Sequence, residues 1–167
     1  MPASAAVSAR DRAVALLTAW ARIWNPLLAR DAKRESWEAL GLPDPIDAVE
    51  SETWRLFHAA LPAPPAPLLL HCLVGVDGSR AREDWLRAIH HLQLVWNDRV
   101  LAPDHLAIAC EVLAAAVEND DAVLVRELLA RYVHPWCAAA AASLAGDEAP
   151  AAALVAAFRA DLDAVPH

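Results

Sequence analysis

Large apolar residues recur along this chain at helical spacing, in stretches that proline interrupts, and this period leaves little besides a helical fold. Ala13, Leu16, Leu17, Trp20, Trp24 and Leu27 share one stripe of an amphipathic helix predicted over residues 8–28. A second helix is predicted over 47–60, with Val49, Thr53, Leu56 and Phe57 inward and Pro62 as its stop. Ala81, Trp85, Ala88, Ile89, Leu92, Val95 and Trp96 make a third stripe. Ser79 is its expected cap, with Glu83 and Asp84 near the positive helix end. Asp104 is expected to cap the next helix, whose inward face is Leu106, Ala109, Cys110, Leu113, Ala116 and Val117. After a break at Asn119, Asp120 and Asp121, a broad face follows with Leu124, Leu128, Leu129, Tyr132, Val133 and Trp136. Pro135 is expected to kink or split that helix. A last helix over 150–164 turns Leu154, Ala157, Phe158 and Leu162 inward, whereas the short apolar run 68–76 is ambiguous between helix and strand. The expected fold is all-α: one compact helical bundle over residues 1–167, with the Pro-rich stretch 61–67 as an ordered surface connection. No fixed-period self-similarity supports a helical-repeat solenoid.

A length of 167 residues suits a single domain that can bury roughly 70% of its unfolded surface, so disorder is not expected. Hydrophobic letters reach 57%, but alanine inflates that figure. No run of ~18 apolar residues is free of charge or proline, so no stable membrane insertion is expected. A formal charge of −8 argues against nucleic acid, whose phosphates require Lys and Arg, and favours basic partners. The first twelve residues lack the apolar core of a secretory signal, which points to a cytoplasmic location. Cys72, Cys110 and Cys137 are odd in number and widely spaced. They read as small buried hydrophobes, not as a disulfide framework.

Nucleophile-elbow, P-loop and dinucleotide-binding glycine patterns are all missing, and the four glycines are scattered. His71-Cys72, His105 with Cys110, and His134 with Cys137 place metal-ligand types near one another, but no C-x-x-C zinc pattern joins them. The most distinctive polar feature is Ala102-Pro103-Asp104-His105-Leu106. It sets a carboxylate and an imidazole at the positive end of a helix, where the neutral form of His105 is favoured. Glu111 follows seven residues after Asp104, and the two carboxylates could border one groove and accept guanidinium hydrogen bonds. Of the seven Trp residues, Trp20, Trp85, Trp96 and Trp136 fit inward stripes. Trp24, Trp37 and Trp54 fall near helix ends, where aromatic rings can line a peptide groove.

Three blocks, taken in order, resemble the cytoplasmic chaperone family represented by TorD, DmsD and NarJ, which mature redox enzymes. They are Glu52-Thr53-Trp54-Arg55-Leu56-Phe57, Pro103-Asp104-His105-Leu106, and Arg131-Tyr132-Val133-His134-Pro135-Trp136. The middle block resembles the family's Pro-Asp-His-Leu helix start, and the resemblance is best over residues 50–145. Ala109-Cys110-Glu111-Val112 keeps only the second acidic position of the family's following helix, and Pro67-Leu68-Leu69-Leu70 replaces a more polar run.

The resemblance implies a client: the apo catalytic subunit of a molybdenum or tungsten oxidoreductase of the dimethyl sulfoxide reductase type, held for cofactor insertion. It implies recognition of a twin-arginine signal peptide by many members. It assigns client recognition to Pro103, Asp104 and His105, with Glu111 second and Trp54, Phe57, Leu70 and His71 on an adjoining surface. Binding is then non-covalent and without turnover, so no enzyme activity and no cofactor of the chain's own are expected. The chain is expected to be a monomer or a domain-swapped dimer, with the Pro-rich connection as hinge. Two other readings stand beside this one: a His/Cys metal protein or small enzyme, and a helical subunit of a stable complex.

Overall fold

The computed structural model describes residues 8–97, 100–146 and 150–167; the stretch before Ser8, read above for a secretory leader, lies outside them. Among the described residues the regular structure is helical, joined by one isolated bridge, and the all-α expectation holds. The order is α1 (Ala9–Trp24), α2 (Arg30–Ala39), α3 (Ile46–Phe57), α4 (Leu70–Val74), α5 (Gly78–His91), α6 (Leu106–Glu118), α7 (Ala122–Leu128), α8 (His134–Ser143) and α9 (Pro150–Asp163). No helix among the described residues is long and apolar enough to cross a membrane.

Ser8 opens α1 with a reciprocal capping box: its hydroxyl accepts from Asp11 N while Asp11 accepts from Ser8 N. The helix ends at Trp24, short of the predicted 28, because Pro26 cannot continue it. Helix α2 was not expected at all. It is strongly polar and buries only Ser36 and Trp37, so it leaves almost no hydrophobic period to read. Asp77, not Ser79, caps α5 by accepting from Arg80 N, and α5 stops at His91, so Trp96 lies beyond it and is half-buried. Pro135 does split its helix: the turn Leu129–Val133 widens to π spacing and α8 begins at His134, with the proline in its first turn.

α6 is the centre of the molecule. Leu106, Ala109, Cys110, Leu113 and Ala116 are all fully buried, and α1 packs along it more extensively than any other pair of elements. The same core continues to where Trp24 meets four other rings. Their centroids stand 5.6 Å away for Trp20, 5.3 Å for Phe57, 6.0 Å for Trp136 and 5.4 Å for Phe158, mostly edge to face. This cluster ties α1 to α3, α8 and α9. Trp24 and Trp37 are themselves buried, yet with Trp54 they line one cleft, as their places near helix ends had suggested. The connection over 61–67 is ordered as expected and is pinned at three points. Ala66 N donates to Leu56 O, Ser143 Oγ to Pro65 O, and Trp136 Nε1 to Pro67 O at 2.9 Å.

Candidate functional site

Two non-helical segments, one before α4 and one before α6, are zipped together. Leu70 N donates to Asp104 O at 3.0 Å and Leu106 N to Leu68 O at 2.8 Å, making the bridge between Leu69 and His105. That pairing buries Leu70 and Pro103 and brings His71 against Asp104. The Asp104 carboxylate is fully buried, with Oδ2 2.5 Å from His71 Nδ1. Its Oδ1 lies 3.4 Å from Arg82 Nε, within ion-pair range but outside hydrogen-bond geometry, so it has no hydrogen-bond partner among the described residues.

Asp104 is therefore not the cap of α6, as the sequence had suggested. A tight turn, closed by His105 N donating to Ala102 O, aims Asp104 inward and leaves His105 as the cap. His105 Nδ1 accepts from Ala107 N at 3.2 Å, so that nitrogen is unprotonated. Burial, helped by His58 and opposed by Asp104, holds the His105 pKa down to about 4, and the imidazole is neutral as expected.

Glu111 is not beside Asp104. Because α6 begins at Leu106, the helical spacing that would align the two carboxylates does not extend back to Asp104. Glu111 instead rims a separate cleft of about 300 Å³ with Ile89, Trp96, Leu101, Ile108 and Val112, and its apolar surroundings push its pKa up.

Trp54 and Phe57 stand on a third feature, a cleft of about 120 Å³ between the end of α1, α2 and α3. Phe57 is buried in its floor, whereas Trp54 is 47% exposed with its ring 4.7 Å from that of His58. Burial, reinforced by Lys33, lowers His58 to about 4, and burial also lowers the Lys33 amine against the pull of Glu50. The acidic rim is already engaged: Glu50 pairs with Arg30, and Asp47 pairs with Arg34 at 3.2 Å. Trp24 adds to the wall an indole N–H that is buried without a hydrogen-bond partner among the described residues.

The three sequence blocks thus meet around one region. His58, directly after the first block, acts electrostatically on His105 in the second. The third reaches the same region through Trp136 and the carbonyl of Pro67, next to the Leu68 carbonyl that Leu106 binds. Its Tyr132 instead turns to α5, where its hydroxyl donates to Asp84 at 2.6 Å; burial, reinforced by that bond, pushes its pKa up to about 12. Sequence reasoning missed His58, whose only signal was its place after Phe57, and Arg82, which carries no motif. It also misread Cys72, which is exposed; Cys110 and Cys137 are buried as expected. Among the described residues no group of three or more His, Cys, Asp or Glu is arranged to hold a metal ion. No protein-family model, curated protein or solved structure matches the chain.

Proposed function

We propose that this chain is a maturation chaperone of the TorD, DmsD and NarJ type, which holds the apo catalytic subunit of a molybdenum or tungsten oxidoreductase during cofactor insertion. The reading starts from the resemblance of its three blocks. The observation that supports it is their convergence: the block ending at Phe57, the Pro103–Leu106 turn and the Trp136 end of the third all adjoin the paired segments 68–71 and 104–106. Nothing in a plain helical bundle requires a carboxylate to be sunk there with one oxygen lacking a hydrogen bond.

In this reading the client engages the exposed face around Trp54 and His58, while Asp104 acts from behind by fixing His71 and the turn that presents His105. A twin-arginine signal peptide would have to displace Arg30 or Arg34 from Glu50 or Asp47 to reach the acidic rim. The test is client retention by variants. Trp54→Ala, on an exposed ring, is expected to lower client affinity at least about tenfold, the scale of an aromatic anchor, with helix content unchanged. Asp104→Ala with His105→Ala is expected to do the same. Unaltered affinity in both would place the client elsewhere.

A further inference from the structure

Cys72 is the exposed member of the three cysteines, and His71 precedes it in α4. Its Sγ lies 3.4 Å from His71 Nε2, while Nδ1 of the same ring lies 2.5 Å from Asp104 Oδ2. In the tautomer whose Nδ1 donates to the Asp104 carboxylate, Nε2 turns its lone pair toward the thiol. The ring is clamped on its other side as well. Gly78, at the start of α5, approaches so closely that a Cβ there would meet Nε2 and Cδ2 at 3.0 Å. A nucleophile, a base and a buried group orienting the base are thus in sequence, the constellation that activates nucleophiles on many unrelated folds. It does not suit a metal, because Cys72 and Asp104 address opposite nitrogens of one ring.

We propose that Cys72, His71 and Asp104 form a relay that makes Cys72 a site of reversible covalent modification by low-molecular-weight disulfides. The thiol proton passes to His71 Nε2 as Sγ attacks one sulfur of the disulfide. The S–S bond breaks, a new Sγ–S bond forms, and the departing thiolate takes the proton from His71 and leaves as a thiol. Cys72 is oxidised and the disulfide supplies the oxidising equivalents, giving one mixed disulfide and one free thiol. The imidazolium that forms in passing is stabilised by Asp104, and no oxyanion cradle is needed because negative charge collects on the departing sulfur.

The groups that face the thiol are His71, Asp104 and Arg82. Burial and Asp104 push the Cys72 thiol up and Arg82 pulls it down, so the sulfur rests protonated and its attack at neutral pH depends on the imidazole. Cys110 and Cys137 are both fully buried and cannot resolve the mixed disulfide, which therefore persists until an external thiol removes it. This inference requires only the three side chains and stands whether or not the chain is a chaperone.

The experiment treats the reduced, full-length protein with oxidised glutathione near pH 7 and follows intact mass, with peptide mapping of the product. One half-disulfide is expected to add, at Cys72. His71→Ala is expected to slow the reaction on the order of a hundredfold and to steepen its pH dependence toward the roughly tenfold per unit of a simple thiol. Equal rates and equal slopes in the two proteins, or modification at another cysteine, would overturn the relay. Should circular dichroism show His71→Ala to be unfolded, the pH profile of the unaltered chain decides. A slope shallower than that of a simple thiol supports the relay, and the full simple-thiol slope between about pH 6 and 8 contradicts it.

Discussion

His58 and His105 are held near pKa 4 by burial, while an imidazole in an unfolded chain titrates near ~6.5. Between those values the unfolded chain binds more protons than the folded one, so stability falls as pH is lowered through that window. Above about 6.5 both forms are neutral and the two residues contribute no pH dependence; below about 4 their penalty is complete. Both are lowered to about the same value, so the two contribute comparably. We predict that His105→Asn, which keeps a capping oxygen but takes up no proton, shallows the decline of the urea midpoint between pH 6.5 and 4 relative to the unaltered chain. An unchanged slope would mean that His105 does not contribute to the acid sensitivity. Glu111 behaves oppositely. Its raised pKa means that the ionised form is disfavoured where it stands, and Glu111→Gln is predicted to raise the melting temperature slightly at pH 7, measured by thermal denaturation.

At the level of elements, burial and legibility go together. The face of α6 was readable because Leu106, Ala109, Cys110, Leu113 and Ala116 all point into the core and repeat at helical period. Leu113 is fully buried, and Leu113→Ala is predicted to cost about 2–5 kcal/mol in chemical denaturation, the range for a core leucine whose neighbours cannot collapse into the void. A loss below about 1 kcal/mol would mean that α6 is not the centre described here. Helix α2 escaped notice for the converse reason: it docks through Ser36 and Trp37 alone, and its ion pairs to α3 are contacts that no local period announces. The cap of α6 was misassigned because Asp104 and His105 are both competent acceptors. Only the turn closed onto Ala102 decides which of them faces the helix amides. Pro135 was readable as a break, but the π turn before it was not, since the extra residue per turn leaves no mark in composition.

For the whole molecule, the sequence blocks do not disclose how their segments sit. The pairing of 68–70 with 104–106 spans the length of α4 and α5, and long-range pairing of that kind is invisible to a helical period. The same closure separates Glu111 from Asp104, unites His71 with Asp104 and leaves Cys72 at the surface. The chaperone reading depends on what that surface retains, so the most direct measurement is capture. The full chain is immobilised, exposed to lysate of the source organism grown under respiratory conditions, and the retained proteins are identified by mass spectrometry, with Trp54→Ala in parallel. The account predicts one large molybdopterin-type catalytic subunit on the unaltered chain and markedly less of it on the variant. Absence of any such subunit from the unaltered chain would contradict it.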